Sequence, residues 1–325
     1  MADVFAYLEG FGASGGSPNK STIIVTAPTG STVTCKMGST TKTATEKNGV
    51  WTFGGLDLGT WTITSTKGGD SATQDVAITR LTVEYVTIVY RVTPEFTYTG
   101  DYAIVDDSDN PISDFANWKN NWKIRFLTSG TFTVTKLNGW NGQLDVFLVG
   151  GGGNGETIRG ARGGGGGYTK TVKGVSIAIA TPYTVTIGAS SGTSSAFGAS
   201  ANGASGANGG SGGGGGGSSS GTPGNGGSNG GNGTAGTVSA GGTGQGTTTR
   251  EFGESTGKLY SGGGGGSAAN AGAAGDSTAG AGAAYGGAAK NGVANTGGGG
   301  GAAYGGTAGR GGSGIVIARN ARGAA

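Results

Sequence analysis

The sequence predicts an all-β protein with almost no α-helix, in which a β-sandwich is followed by a β framework that carries ordered glycine runs. Two observations lead to this prediction. Segments of alternating apolar and polar residues, rich in Thr, Val, Ile and Trp, recur between turn signals from Ser21 to Gly150. Of the 79 glycines in 325 residues, 63 lie from Gly150 onward. Two different kinds of β structure are therefore joined in one chain.

The first β region, residues 21–79, is interpreted as a small β-sandwich. Turn signals at Asn48-Gly49 and Gly68-Gly69 separate short alternating segments. A residue period of two places one set of apolar side chains in a shared buried layer. The predicted layer consists of Ile24, Val33, Cys35, Trp51, Phe53, Trp61 and Ile63.

The remaining chain is divided by composition. Residues 1–20 are expected to form an N-terminal attachment segment, and 80–149 a β-rich connecting domain whose first strand, within 80–92, leaves the sandwich. Residues 150–325 are expected to form a glycine-rich domain closed by a C-terminal strand at 314–320.

The glycine region permits two interpretations, a flexible tether or an ordered body. A strand "GIVIARN" near the C-terminus would have unpaired edges unless it returned to "LDVFLV" or "YTVTIG", which would bring the ends of the region together. Polyproline II geometry has three residues per turn with N–H and C=O groups directed outward, and a six-residue run spans roughly 19 Å, about one strand length. These points favour ordered glycine helices that bond to one another.

The order of the non-glycine islands resembles the glycine-rich domain of bacteriophage and prophage tail proteins. The resemblance covers roughly Phe96 to Asn320 and is carried by "WKIRFLTSGTFTV", "LDVFLVGGGGNG", "REFGESTGKLYSGGGGG" and "GGSGIVIARN". It implies a bundle of polyglycine II helices, similar to the tips of some tail-fibre adhesins, whose loops touch a bacterial receptor. Residues 21–79 likewise resemble immunoglobulin-like or carboxypeptidase-regulatory-like modules of phage structural proteins.

The expected function is therefore that of a virion structural protein and not of an enzyme, most simply a tail-fibre or baseplate adhesin. Its expected partners are other virion proteins through the N-terminal region and a bacterial surface glycan or protein, with a homo-oligomer as a further option. "MADVFAYLEG" lacks the features of a secretion signal, which suits synthesis in the host cytoplasm and release by lysis. The alternatives are a head fibre or capsid decoration protein, and an enzyme that degrades surface glycans.

A net charge of +3 without a Lys/Arg cluster argues against nucleic acid as a partner, and no apolar run is long enough to predict a membrane span. The absence of histidine and the single cysteine exclude disulfides, His/Cys zinc sites and histidine-based acid–base catalysis. We expect neither a cofactor nor a metal.

The candidate receptor contacts are a cation and isolated aromatic residues between glycine runs: Arg250, Phe252, Tyr260, Tyr285 and Tyr304. The island that contains the first three also carries Glu251 and Glu254, so structural, contact and catalytic roles are all considered for it. The two later tyrosines either stack on a sugar or peptide or fill gaps in the bundle.

Two further motifs are weighed against simpler interpretations. Gly150, Gly152 and Gly155 match a dinucleotide-binding G-x-G-x-x-G, but no helix is predicted to follow, so we attribute the match to composition. "DDSDNP" at 106–111 could hold Ca²⁺, or could simply form a turn before Pro111.

Overall fold

A computed structural model of the protein describes residues 20–322, except for 28, 68–69, 88–92, 119, 139, 218–221, 228–231 and 238–249. The chain divides into two compact units, Met1–Val92 and Thr93–Ala325. The predicted attachment segment at 1–20 lies outside the described residues apart from Lys20. Among the described residues the only helical elements are two 3₁₀ turns, Phe115–Asn117 and Glu251–Gly253, so the all-β prediction is confirmed. No helix in the described part has the length and hydrophobicity needed to cross a bilayer.

The first unit contains two four-stranded sheets that share one core. Its strands are β1 Ser21–Thr26, β2 Thr32–Met37, β3 Thr40–Lys42, β4 Glu46–Lys47, β5 Val50–Leu56, β6 Gly59–Lys67, β7 Asp70–Ile78 and β8 Val83–Thr87. They are ordered β4-β5-β1-β8 and β3-β2-β6-β7. Six of the seven predicted core residues are buried in this core, since Val33, Cys35, Trp51, Phe53, Trp61 and Ile63 all pack there.

Two details of the first unit differ from the sequence prediction. Ile23 and Val25 face the core, and Ile24 points to the opposite face, because β1 has the other phase of the two-residue period. The strand expected to begin the next domain is β8, and it pairs in parallel with β1 instead of leaving the sandwich. Its Val86 is buried in the shared core, so this strand completes the first unit, and the unit boundary follows residue 92 rather than 79.

The second unit is built on three sheets. Its strands are β9 Glu95–Tyr98, β10 Tyr102–Val105, β11 Lys123–Phe126, β12 Gly130–Lys136, β13 Gln143–Val149, β14 Thr169–Ser176, β15 Tyr183–Val185, β16 Ser194–Ala196, β17 Ala199–Ala201 and β18 Ile315–Asn320. The sheet orders are β10-β11-β18-β13-β14, β15-β12-β9 and β16-β17.

The C-terminal strand β18 lies in the middle of the five-stranded sheet. It pairs antiparallel with β11 on one side and with β13, the "LDVFLV" strand, on the other. The predicted return of the C-terminus is confirmed. Because this sheet combines strands from 80–149 with strands from 150–325, those two predicted domains form one compact unit.

Both faces of the five-stranded sheet are covered. On one face Phe126, Leu148 and Val316 belong to the large core that β9, β12 and β15 also enclose. On the other face Phe147 and Ile317 form a smaller core with side chains from the 250–260 island. The glycine runs begin where the strands of this sheet end.

The glycine runs bond to one another with a step of three residues. Gly152 N donates to Gly312 O at 2.9 Å and Gly155 N to Gly309 O at 3.0 Å, so two antiparallel runs meet once per three residues. A β-ladder has a period of two, whereas polyproline II has three residues per turn. The same step recurs elsewhere: Gly164 and Gly167 donate to Gly300 and Gly297, Gly214 and Gly217 to Gly264 and Ser267, and Gly299 and Ala302 to Gly262 and Gly265. These runs form an ordered, hydrogen-bonded bundle.

Close approach of backbones explains why these positions are glycine. A Cβ built on Gly164 would overlap Gly153 O, and one on Gly264 would overlap Gly300 O. Neither glycine has a φ in the left-handed region. Glycine loses more backbone entropy on folding than other residues, and the many direct backbone bonds that its small size permits offset that cost.

We expect Gly264→Ala to destabilise the bundle by about 3 kcal/mol, because the added methyl forces apart runs that bond through Gly264 N and O. The control is Gly54→Ala, since the nearest heavy atom to a Cβ there is 4.0 Å away. Chemical denaturation gives the free energies of unfolding, and hydrogen exchange gives the protection of the 163–167 amides. Equal stability of the two variants, with those amides still protected, would show that the runs are not closely packed.

We expect the Cys35 thiol to resist alkylation in the folded protein. Cys35 is fully buried, and burial raises the pKa of its thiol to about 11, with nearby Lys42 opposing the shift. Because the folded pKa is raised, the stability gained from the neutral thiol is present below pH 9 and is lost as the pH rises towards 11. Iodoacetamide labelling at pH 8 is expected to be at least about a hundredfold slower in native protein than in guanidinium. Similar rates would contradict the buried position.

Candidate functional site: the tip of the glycine bundle

Two of the five predicted contact residues are buried beneath the surface. Tyr260 has no exposed area and Phe252 is 6% exposed, and both rings pack on Phe147, with centroid separations of 5.4 Å and 6.0 Å. They cover the apolar second face of the five-stranded sheet. The prediction that Phe252 and Tyr260 contact a receptor is therefore corrected: these residues hold the 250–260 island on the sheet.

A buried ionic network fixes the same island. The Glu251 carboxylate accepts hydrogen bonds from Lys123 Nζ at 2.9 Å, from Arg125 Nη2 at 2.5 Å and from the Tyr260 hydroxyl at 2.5 Å. Asp109 accepts from the same two cations at 2.6 Å and 2.8 Å. Burial, reinforced by Glu251, raises the pKa of Tyr260 above its ordinary value, so the phenol remains a donor.

A second group of charges extends this network. Arg319 donates to Asp145 and, at 2.5 Å, to Glu254, and its guanidinium carbon lies 3.9 Å from the centre of the Phe252 ring. Arg250, a predicted contact residue, is half-buried and donates to Ser255 O at 3.1 Å. Both carboxylates considered for glycan cleavage, Glu251 and Glu254, are thus bound by cations, which suits a structural role for the island.

The acidic stretch at 106–111 forms a turn whose carboxylates point to different partners. Asp106 accepts from the backbone N–H groups of Ser108 and Asn110 at 2.9 Å, and hydrogen bonds from Asn110 lower the pKa of Asp106. Asp107 pairs with Arg322, and Asp109 belongs to the network described above. In the part of the chain that the structure describes, no three His, Cys, Asp or Glu residues are grouped to hold a metal.

The G-x-G-x-x-G match is part of the bundle. Gly150, Gly152 and Gly155 follow β13, and their N–H groups donate to Tyr168, Gly312 and Gly309. A pyrophosphate site needs free amides at the start of a helix. These amides are already bonded, and a glycine run takes the place of the helix.

The loops at the end of the bundle remote from the sheet define a surface that we call the tip, residues 156–162, 284–289 and 303–308. The run that starts at Gly150 leads away from β13 and reaches this end at Glu156. Ala303 N donates to Glu156 O at 3.0 Å, so the loops from two separate runs meet there. The positions of the loops are therefore set by backbone bonds.

Tyr285 and Tyr304 lie side by side at the tip. They occur in two copies of "GAAYGG", at 282–287 and 301–306, and the copies run in parallel with Ala283 N donating to Ala302 O at 2.8 Å. The two rings meet edge to face, with centroids 5.3 Å apart and planes at 80°. Tyr285 is 45% exposed and Tyr304 is 37% exposed. Of the predicted contact residues, these two form an exposed aromatic pair.

The charged residues that accompany this pair were not predicted from the sequence. Arg159 lies in the first loop of the tip, and Lys290 and Arg310 follow the two tyrosines; all three are exposed. Comparing the stretches after the two copies of "GAAYGG" would have revealed Lys290 and Arg310, because a cation follows the tyrosine by five residues in the first copy and by six in the second, whereas no such signal marks Arg159.

A family model described as a glycine-rich domain matches residues 127–321, which is more than half of the chain. The chain belongs to this glycine-rich domain family. The matched range of the glycine-rich domain begins just before β12 and ends just after β18, so it includes both the sheet strand that closes the unit and the whole bundle. No curated protein and no solved structure matches the chain.

We expect Glu251→Gln to destabilise the second unit by about 3 kcal/mol, because it leaves Lys123 and Arg125 buried with only Asp109 as a counter-charge. Glu254→Gln is the matched control. Glu254 is 48% exposed and its partner Arg319 keeps Asp145, so a cost below about 1 kcal/mol is expected. Chemical denaturation measures both, and equal costs would refute a buried network.

Proposed function

We propose that this glycine-rich protein is a structural component of a bacteriophage or prophage particle and that its tip binds a bacterial surface receptor. The supporting observation is the pair of exposed tyrosines, Tyr285 and Tyr304, at the end of a bundle of backbone-bonded runs. Exposed aromatic groups on a rigid surface are typical of binding sites.

Rigidity favours binding by the tip. Gly286 N donates to Tyr304 O at 2.9 Å and Tyr285 N to Ala268 O at 3.1 Å, so the backbone on which each ring is mounted is bonded to a neighbour. Little ordering entropy is then lost when a ligand is bound. Several copies on one particle would convert weak individual contacts into strong attachment.

The rest of the chain has a supporting role in this proposal. The first unit and the segment before it attach the protein to other virion proteins, and the protein is located in the virion. The exposed aromatic pair favours an adhesin over a decoration protein, which has no need of such a surface. Glu251 and Glu254 form ion pairs with Arg125 and Arg319, and this favours a receptor-binding protein over an enzyme that cleaves glycans.

We expect the double variant Y285A/Y304A to lose at least about tenfold in binding to bacterial cells, which corresponds to about 1.4 kcal/mol. The measurement uses fluorescently labelled full-length protein and the strain whose genome or prophage encodes it, together with related strains. Tyr85→Ala is the control, since Tyr85 is 64% exposed on β8 in the first unit.

Unchanged cell binding by the tyrosine variant would contradict a role for the tip, and absence of binding by the unaltered protein to all of these strains would contradict the receptor-binding function. Y285F/Y304F keeps both rings and is expected to retain most of the binding. Circular dichroism and the unfolding midpoint verify that each variant is folded.

A further inference from the structure

We propose that the ligand of the tip is an acidic polysaccharide, recognised by the tyrosine pair together with Arg159, Lys290 and Arg310. This inference rests on the proposed function of the tip and specifies its ligand class. Two segments that we call arms pass through the tip: the first arm is residues 281–292 and the second arm is residues 300–311. Each arm contains one of the tyrosines and one of the cations Lys290 and Arg310.

The two arms bond to each other both before and after their tyrosines, with a change of register by one residue at the turn. Gly280 N donates to Gly299 O at 2.8 Å before the tyrosines, and Gly292 N donates to Arg310 O at 2.8 Å after them. Arg310 N also donates to Asn291 Oδ1 at 2.8 Å, so the residues that follow Lys290 in the first arm lie beside Arg310 in the second. The fold thereby places both cations on neighbouring runs.

The spacing from rings to cations suits an extended polymer. Each arm runs towards the end of the bundle as far as its tyrosine and then reverses direction. The reversal takes place at a glycine with positive φ, which is Gly286 in the first arm and Gly305 in the second. Lys290 N donates to Ala281 O, and Ala281 precedes Tyr285 by four residues. At about 3.1 Å per residue this puts the Lys290 backbone roughly 12 Å below the rings along the bundle. A chain of sugars can contact a ring and a cation at once.

The charge balance favours an anionic ligand. Residues 150–325 contain ten Lys and Arg against four Asp and Glu, a net charge of +6. The four carboxylates are engaged by other groups: Glu156 pairs with Arg162, Glu251 and Glu254 belong to the island network, and Asp276 accepts from Thr278.

By contrast, no carboxylate among the residues that the structure describes lies within ion-pair distance of Arg159, Lys290 or Arg310. Uncompensated positive charge on an exposed surface attracts anions. Arg and Lys bind carboxylate and phosphate substituents well, while the tyrosine rings offer apolar surface to sugar rings.

Charge density favours a polysaccharide over nucleic acid. Double-stranded DNA carries one charge per about 1.7 Å, and its binding proteins neutralise many phosphates with clustered cations. The tip and the two arms that lead to it offer three cations, and the Lys290 backbone lies roughly 12 Å below the rings along the bundle. That sparse spacing matches a polymer whose charges are separated by neutral sugars.

The test compares the full-length protein with R159Q/K290Q/R310Q, using hyaluronate oligosaccharides as the acidic probe and carboxyl-reduced hyaluronate as its neutral match. K36Q/K170Q/K173Q is the control variant, because it removes the same charge from exposed residues outside the tip and its two arms. Calorimetry at low and physiological salt measures binding. We expect hyaluronate to bind at least tenfold more tightly than the reduced polymer, and the tip variant, but not the control variant, to lose this difference.

Several results would overturn the inference. Equal binding of hyaluronate and its reduced form would indicate a neutral glycan, tighter binding of a DNA duplex of equal charge would indicate nucleic acid, and failure to bind hyaluronate, alginate and gellan would exclude acidic polysaccharides.

Cell binding separates this inference from the function on which it rests. If Y285A/Y304A loses cell binding and R159Q/K290Q/R310Q keeps it, the receptor-binding tip stands and the acidic ligand does not. If both variants keep it, both proposals fail.

Discussion

The second unit depends on direct contact between glycine backbones. In a β-sheet each strand bonds to two neighbours, because its N–H and C=O groups lie in one plane. In the glycine bundle the direction of these groups rotates with a period of three, so one run bonds to several neighbours. The run at 163–167 shows this, since Gly163, Gly164 and Gly165 donate in turn to Gly214, Gly300 and Gly206, which belong to different runs. Any side chain on such a contacting face would separate the backbones.

The apolar sheet solves a problem that glycine alone cannot solve. Backbone bonds between identical residues do not select one alignment of two runs over another, since every glycine offers the same groups. Strands β13, β14 and β18 do select an alignment, because their side chains fit the two cores on either side of the sheet. The runs that continue from these strands inherit that alignment. The ionic network around Glu251 then holds the 250–260 island, from which a further run begins at Ser261.

The extent to which the sequence predicts this structure follows from the range of the interactions involved. The return of β18 to β13 was predictable, because an isolated apolar strand needs a partner wherever it lies in the chain. The phase of β1 was not, because alternation alone allows Ile23 or Ile24 to face inward, and only the packing of the whole sandwich core distinguishes them. The burial of Phe252 and Tyr260 depends on a sheet face formed by residues more than fifty positions away on either side along the chain. Their glycine and polar neighbours made them look exposed.

The way in which the bundle is stabilised also bears on how the tip can function. Its interior is held by backbone bonds that do not depend on the identity of any side chain at the surface. Tyr285, Tyr304, Lys290 and Arg310 project from loops whose backbones remain bonded to neighbouring runs, so replacing these side chains removes few contacts from the interior. Under the proposed function, recognition and stability are thus assigned to different atoms. A receptor-binding tip of this kind could change its ligand through a few surface side chains while the glycine bundle beneath stays the same.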